Sequence, residues 1–510
     1  MRELKELALM ADPSELKLTA RNLLFFEGDT LLNRFFEGIV EDVFDSDEEA
    51  LKVLYPGEVS TGNYRKLKFT LKKRLKEAIL LFDEKNRTST SYQKAYYQCY
   101  KEWAMVKILL GQNARNAAVE IAQGILKKAE KFEFTELSVD VCSVLRLHYG
   151  ARLGDKAKFD TYNKRFKKYR ELYFLEEDAQ EAYVDLIMNY VNDRSPKTDQ
   201  YKRAKQALEH LDDLGIEGDT HQYRLYRYLI ELMAATTIYD YKAALDICEK
   251  GITYFSAKPY ETQLPLQIFY YQELVCHVQL GQFEAGQEVA QKCLKIMQEG
   301  SFNWFKYQEL YLILALYTEK YEEAGKIYWN TTKHTRFQFL PENTQKVWMI
   351  YHAYLYFLAS SHRISTPRYQ GLIKDAFDYD HFLEEVVTFS KDKSGLNAAI
   401  LIAQNLIAIV EERYEEVIDR MEAHQQYCYR YLNSEHTKRT YLFMKMVLKI
   451  PRYGFDKAKI EEKTQKLKSE LVNVPLEVAN QAVELEIIPY EKLWDLILAV
   501  LSPAKQPKEI

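Results

Sequence analysis

The chain has 510 residues, 47% hydrophobic and 28% charged, a balance that fits a folded protein and argues against disorder over most of its length. Glycine (18) and proline (12) are too few for the many tight turns of a sandwich or barrel, which favours helices. The net charge of −5 gives no overall reason to expect nucleic acid or an anionic membrane as the partner.

Targeting and redox signals are weak. The N-terminus is charged where a secretory signal would be apolar, and no later stretch reaches about 18 uncharged apolar residues. We therefore expect a cytoplasmic protein without a membrane span. The six cysteines show neither a C-x-x-C pair nor a regular short spacing, so the sequence predicts neither a zinc site nor a disulfide framework.

Residues 1–88 form a predicted helical segment with a charge distribution of its own. Asp and Glu dominate between residues 29 and 49, whereas Lys and Arg dominate between residues 64 and 77. In the basic half, apolar residues recur every three or four positions, which predicts an amphipathic helix with most of its lysines opposite the buried stripe. The stripe consists of Tyr64, Leu67, Leu71, Leu75, Ala78 and Phe82.

Residues 46–85 also loosely resemble a helix-turn-helix pair, because the turn Tyr55-Pro56-Gly57 separates two predicted helices. Their position before helical repeats resembles that of transcriptional regulators with a DNA-binding head and a repeat body. In such a head, polar residues near the start of the second helix contact DNA. Here those residues are Asn63, Arg65, Lys66 and Lys68. The simpler interpretation is the solvated face of an ordinary helix, which we favour.

From residue 90 to 470, apolar residues recur at helical spacing in segments separated by short loops. The pattern predicts successive helical hairpins. The clearest covers 268–297, where Gly281 ends the first helix and Phe283 begins the second. Weaker pairs are predicted over 103–173, and further first helices over 343–360 and 396–413.

An aromatic residue followed three positions later by a small one marks the second helix of each predicted pair. The copies are Tyr241/Ala244, Phe283/Gly286 and Tyr321/Ala324, with Tyr414/Val417 as a degenerate later copy. Successive spacings are 283 − 241 = 42 and 321 − 283 = 38 residues. A repeat of this length suits a stack of helix pairs.

The pattern resembles the tetratricopeptide-repeat (TPR) family, in which a Gly-x-aromatic turn joins two helices that carry small residues where they meet. Later small positions hold Cys248 and Gly251, then Ala290 and Cys293, whereas Tyr328 departs from the pattern. Late small residues of the first helices are Ala235, Ala315 and Ala408, with His277 as the exception. The family's mid-helix Gly and closing Pro are absent.

The resemblance is most evident over residues 218–335. It implies an all-α fold, a right-handed superhelical solenoid of antiparallel helix pairs, preceded by the distinct helical N-terminal segment. Residues 473–500 are predicted as one or two apolar helices that cap the open end, and 501–510 as a tail.

No short catalytic motif is present, and we expect neither enzymatic activity nor a cofactor. The densest group of potential metal ligands is Asp380, His381 and Glu384, which would support a metal-dependent hydrolase as a remote alternative. Acidic residues at the start of a helix are more simply explained as caps, so we predict no metal site.

The predicted function is a scaffold that binds a protein or peptide, or a second copy of the chain, along the first helices. The resemblance implies that first helices line the concave surface, where Tyr and Arg would contact a partner. The candidates are Tyr223, Arg224, Tyr226, Arg227, Tyr270, Tyr271, Trp304 and Tyr307. The alternative is the transcriptional regulator described above, with the repeats as its sensor.

Overall fold

A computed structural model describes residues 1–10, 30–41, 43–44, 46–56, 62–80, 90–192, 197–387, 396–432, 437–476 and 486–501. Within these ranges the protein is all-helical and has no β-strand, which confirms the predicted class. The chain divides into two compact units. The first comprises Met1–Glu177, Ile216–His221 and Lys258–Thr262, and the second comprises Asp178–Gly215, Gln222–Ala257 and the described residues of 263–510.

The first unit is built from short N-terminal helices followed by longer ones. They are α1 (Arg2–Met10), α2 (Leu31–Val40), α3 (Asp47–Leu54), α4 (Gly62–Leu80), α5 (Ser91–Gly111), α6 (Arg115–Phe132), α7 (Thr135–Leu147), a π-helical turn (His148–Arg152) and residues 156–177 of α8 (Lys156–Asn192). Helices α1 to α4 share one hydrophobic cluster, and α5 to α7 share another.

The predicted amphipathic helix of the N-terminal segment is confirmed as α4. Tyr64, Leu71, Leu75 and Ala78 are buried, and Leu67 is half-buried against the same cluster. Phe82 lies outside the described residues. The buried stripe therefore attaches α4 to α1 and α2.

The second unit continues the helical chain. Its helices are the end of α8, α9 (Lys197–Asp213), α10 (His221–Thr237), α11 (Tyr241–Ser256), α12 (Gln263–Leu280), α13 (Phe283–Ile296), α14 (Phe302–Tyr317), α15 (Tyr321–Thr332), α16 (Glu342–Ser360), α17 (Pro367–Asp375), α18 (Tyr379–Val387), α19 (Leu396–Val410), α20 (Tyr414–Asp419), α21 (Met421–Tyr431), α22 (Lys438–Val447), α23 (Lys449–Arg452), α24 (Lys457–Val472) and α25 (Tyr490–Val500). Helices adjacent in sequence pack together, as α11 does with α12, α12 with α13, and α14 with α15.

The same closed turn ends the first helix of successive pairs. One residue takes the left-handed conformation, and the N–H of the next residue donates to a carbonyl five positions back, which satisfies the helix end. The left-handed residues are Tyr239, Gly281, Glu319, His362 and Glu412, with φ between 57° and 65°. The bonds from Asp240, Gln282, Lys320, Arg363 and Arg413 measure 2.8–3.0 Å. The predicted boundary at Gly281 and Phe283 is confirmed.

Small residues lie where neighbouring helices meet. Ala244 and Ala324 are fully buried, and a Cβ added at Gly286 would come within 2.6 Å of Leu314. The buried thiols of Cys248 and Cys293 confirm that these cysteines are packing residues. Helices approach closely only where such side chains face their neighbours.

Tyrosine hydroxyls link many of the helices to one another. Several donate to a carboxylate or a backbone carbonyl outside their own helix, which satisfies a polar group that would be costly to bury alone. The bonds include Tyr100 to Glu136 (2.9 Å) and Tyr169 to Glu130 (2.8 Å) in the first unit, and Tyr351 to Glu309 (2.9 Å), Tyr354 to the Ala399 carbonyl (3.3 Å) and Tyr356 to Glu411 (2.6 Å) in the second.

At the C-terminal end, α25 packs on α19, α22 and α24. The guanidinium of Arg439 donates to both oxygens of Glu486, at 2.8 and 2.9 Å, and both side chains are buried. Within the predicted cap of 473–500, α25 is the described helix, and residues 477–485 lie outside the described part. None of the helices described combines the length and apolar character that a bilayer-spanning helix needs.

Two glycines have open space where a Cβ would be added, so replacing each by alanine tests backbone conformation without a steric clash. Gly281 has φ +65°, whereas Gly124 lies inside helix α6. We expect Gly281→Ala to lower the free energy of unfolding by about 1 kcal/mol, because an L side chain is strained in the left-handed region. The matched control Gly124→Ala should raise it by roughly 1 kcal/mol. Urea unfolding followed by circular dichroism measures both, and an unchanged or stabilised Gly281→Ala would contradict the closed-turn description.

Candidate interaction surface

Five of the eight candidate partner-binding residues belong to three hydrophobic clusters of the second unit. Tyr226 packs against a cluster that contains residues of α10, α11 and α12. Tyr270, Tyr271 and Tyr307 belong to the large cluster that continues toward the C-terminus, and Trp304 belongs to a small third one. These five residues therefore do not share a single hydrophobic cluster.

Arg227 is engaged by the protein itself. Its guanidinium donates to Asp212 at 2.6 Å, to Glu231 at 3.1 Å and to the Tyr223 hydroxyl at 3.0 Å. The hydrogen bond from Arg227 lowers the pKa of the Asp212 carboxyl. Because Asp212 lies on α9, the side chain of Arg227 connects α9 with α10. It is also partly exposed to solvent.

Arg224 and Tyr226 contact different neighbours of α10. The Tyr226 ring lies 5.6 Å from the Tyr183 ring, and its hydroxyl donates to Gln180 at 3.1 Å. The Arg224 guanidinium lies 5.9 Å from the ring centre of Tyr254. These side chains are half-buried, so each presents part of its surface to solvent. We call this group, Gln180, Tyr183, Arg224 and Tyr226, the α10 surface.

Three of the candidates are interior residues. Tyr307 is 0% exposed and donates to the Tyr270 carbonyl at 3.5 Å, while Trp304 packs edge-on against Phe305. Tyr223 is buried as well. Burial leaves these three side chains little surface for a partner, and their role as partner contacts stays a prediction. Membership of a first helix was the signal used, and it does not show which way a residue faces. Tyr270 and Tyr271 remain half-buried.

The four candidate DNA contacts lie at the start of α4 and differ in their exposure and in their hydrogen bonds. Lys68 is held by Asp47, whose carboxylate it contacts at 2.6 and 2.8 Å, and Tyr64 donates to the same carboxylate. Asn63, Arg65 and Lys66 are exposed. Helix α3 ends at Leu54, and residues 57–61, which precede α4, lie outside the described residues. DNA contact here stays a prediction.

The acidic sequence around Asp380 acts locally as a helix cap. The backbone N–H of His381 donates to Asp378 at 3.0 Å, as expected at the start of α18. Across the part of the chain that is described, no three His, Cys, Asp or Glu side chains are grouped in a way that would hold a metal ion.

The first unit contains a buried carboxyl that no sequence pattern predicted. Glu176 is 6% exposed and accepts a 2.6 Å hydrogen bond from the Thr135 hydroxyl. Burial raises its pKa to about 7, although hydrogen bonds from Thr135 and Thr220 act in the opposite direction. The partners are 41 residues apart, so no local pattern marks the site.

An imidazole and an ion pair lie in the same unit. His221 stacks on Tyr92 with ring centres 4.9 Å apart, and burial lowers its pKa to about 4. Its backbone N–H donates to Glu133 at 2.7 Å, and Lys258 donates to the same carboxylate at 2.7 Å. Glu133 thus holds segments 216–221 and 258–262 in the first unit. These hydrogen bonds join segments that are distant in the sequence.

The raised pKa of Glu176 predicts a pH-dependent stability. A carboxyl that binds its proton more tightly in the fold than in the unfolded chain stabilises the fold below its ordinary pKa of 4.5, and this contribution is lost as pH rises toward 7. Glu176→Gln should therefore match wild type near pH 5 and exceed its free energy of unfolding by roughly 3 kcal/mol at pH 8. Thermal or urea unfolding at several pH values measures this.

The neighbouring Glu177→Gln provides the control, because Glu177 is exposed. Its stability should follow the wild-type profile at every pH. A Glu176→Gln profile parallel to wild type would show that the buried carboxyl is ionised in the fold at neutral pH.

Comparison with known proteins provides no family assignment. No family model, no curated protein and no solved structure matches this chain. Its function is therefore inferred from the described residues.

Proposed function

We propose that the protein is a non-enzymatic scaffold that binds a protein or peptide partner through a TPR-like, right-handed solenoid of helix pairs. The observation that carries the proposal is the recurrence of one construction. A first helix ends in the closed left-handed turn, and the second begins two residues later with Tyr241, Phe283, Tyr321 or Tyr414. Repeated units of this kind stack into extended binding surfaces.

The α10 surface is where we place the partner. Tyrosine offers rigid, amphipathic contact area at low entropic cost, and arginine pairs with carboxylates. Tyr226 supplies the ring, with Gln180 held beside it by the Tyr226 hydroxyl. Arg224, two positions earlier on α10, supplies the cation on another side of the helix, over the Tyr254 ring. A segment with an acidic and an apolar side chain fits this combination. Neither a catalytic residue nor a cofactor is required.

Site-specific photocrosslinking tests the proposal in the native host. A benzophenone amino acid is placed at Tyr226, and the matched control carries it at Tyr429, which is 84% exposed on α21. We expect a discrete crosslinked partner from position 226 only. A second copy of the chain in the crosslink would identify the partner as self. Identical adducts from both positions, or none from position 226, would reject the α10 surface.

A charge reversal gives an independent measurement of the same contact. Arg224→Glu should reduce the crosslink from position 226 at least about tenfold, since an acidic partner would meet a like charge. Arg430→Glu on α21 is the control, because Arg430 is exposed. Unchanged melting temperatures would confirm that both variants fold. Equal loss in both variants would contradict specific recognition.

A further inference from the structure

A cleft opens in the first unit where α7 passes through the π-helical turn into α8. It has a volume of about 610 Å³. Its lining combines apolar and basic side chains: Ser143, Arg146, Leu147, Gly150, Ala151, Gly154, Lys156 and Phe159. The cleft lies apart from the α10 surface in sequence, and it belongs to the other compact unit.

The π-helical turn explains why a cleft exists here. The N–H of Leu153 donates to the His148 carbonyl at 3.3 Å, five residues back, so the end of the helix is wider than an α-helix. Gly150 allows Phe159 to lie directly against this turn, because an added Cβ would come within 2.6 Å of the ring. π-Helical turns occur frequently at functional sites.

The walls offer exposed aliphatic side chains and a fixed cation. Leu147 is 65% exposed, and Leu153, beside the cleft, is 61% exposed. Arg146 is oriented by the Phe166 ring, 3.6 Å from its guanidinium, and by a 3.2 Å bond to Asn163. Both partners are neutral, so the positive charge of Arg146 is not compensated by them.

The segment around the cleft is strongly basic in a chain that is acidic overall. Residues 146–170 contain nine Lys and Arg but only two Asp and no Glu. Some of these cations are paired, as Lys156 is with Asp160 at 2.8 Å and Arg165 with Glu130 at 3.2 Å. Within the described residues, several form no ion pair with a carboxylate, namely Arg146, Arg152, Lys164, Lys167, Lys168 and Arg170.

We propose that this cleft binds an acidic, amphipathic peptide segment of a partner protein. An apolar side chain of the partner would occupy the space beside Leu147 and Phe159, and its carboxylates would pair with Arg146 and with the lysines of α8. A peptide fits better than nucleic acid, because Leu147 and Ala151, the exposed apolar side chains that line the cleft, are aliphatic. Single-stranded nucleic acid is bound mainly by stacking on aromatic faces along a basic groove.

Fluorescence anisotropy with the full chain tests this proposal. The probe is a fluorescein-labelled peptide library in which Asp and Glu alternate with Leu, Ile and Phe, and a matched library carries Lys in place of the acidic residues. A labelled oligothymidine tests for nucleic acid. We expect the acidic library alone to bind, with an affinity that falls as salt rises.

Two variants locate the binding. Lys164→Glu plus Lys167→Glu should weaken binding at least about tenfold through like-charge repulsion. Leu147→Ser should weaken it by roughly tenfold because an apolar contact is lost. The control Lys73→Glu plus Lys76→Glu makes the same change in net charge on exposed positions of α4 and should leave the affinity nearly unchanged. All substituted side chains are exposed, and melting temperatures check folding.

Three results would overturn the proposal. They are absence of binding by the acidic library, equal weakening in the α4 control, and preferential binding of oligothymidine. Binding at the cleft does not depend on Arg224 or Tyr226, so its failure would leave the α10 surface untouched. Failure of the crosslink at Tyr226 would likewise leave the cleft to be judged by these measurements.

Discussion

The close approach of two helices at a small side chain, next to a turn closed by a left-handed residue, is the constraint on which the second unit depends. A Cβ added at Gly286 would meet Leu314 at 2.6 Å, and one added at Gly251 would meet the Phe269 ring at 2.9 Å, so the second helix of one pair lies close to the first helix of the next. Within a pair, the closed turn sets the direction of the second helix. With both set, neighbouring first helices come close enough for tyrosines such as Tyr351 and Tyr354 to bond across them.

These bonds also determine which polar groups remain for a partner. The sequence does not distinguish Tyr307 or Arg227 from a surface tyrosine or arginine. In the structure, Arg227 donates a hydrogen bond to Asp212 and Tyr307 donates one to the Tyr270 carbonyl. On α10, the Arg227 guanidinium is engaged by Asp212, Glu231 and Tyr223, while Arg224 and Tyr226 are half-buried. In the first unit, Arg146 differs because its neighbours are a ring and an amide, which leave its charge uncompensated.

Local patterns in the sequence were enough to predict the helices, the boundary at Gly281, the packing cysteines and the buried stripe of α4. Contacts between distant residues were not predictable, because Glu176 and Thr135 or Arg227 and Asp212 carry no shared periodicity. The left-handed turns at Glu319 and Glu412 could not be predicted from the sequence either, because glycine is the usual signal for that conformation. The π-helical turn replaces one hydrogen-bond register by another without a distinctive residue pattern.

The tyrosine bonds have a consequence for the alkaline limit of the fold. Burial raises the pKa of Tyr307, Tyr351 and Tyr354 above the ordinary value of about 10. In strong base the unfolded chain can ionise these phenols, whereas the fold must keep them protonated, so proton release favours unfolding. Phenolate absorbance would then appear together with loss of helix. The ionisation of these tyrosines would therefore coincide with the separation of the helices that they join.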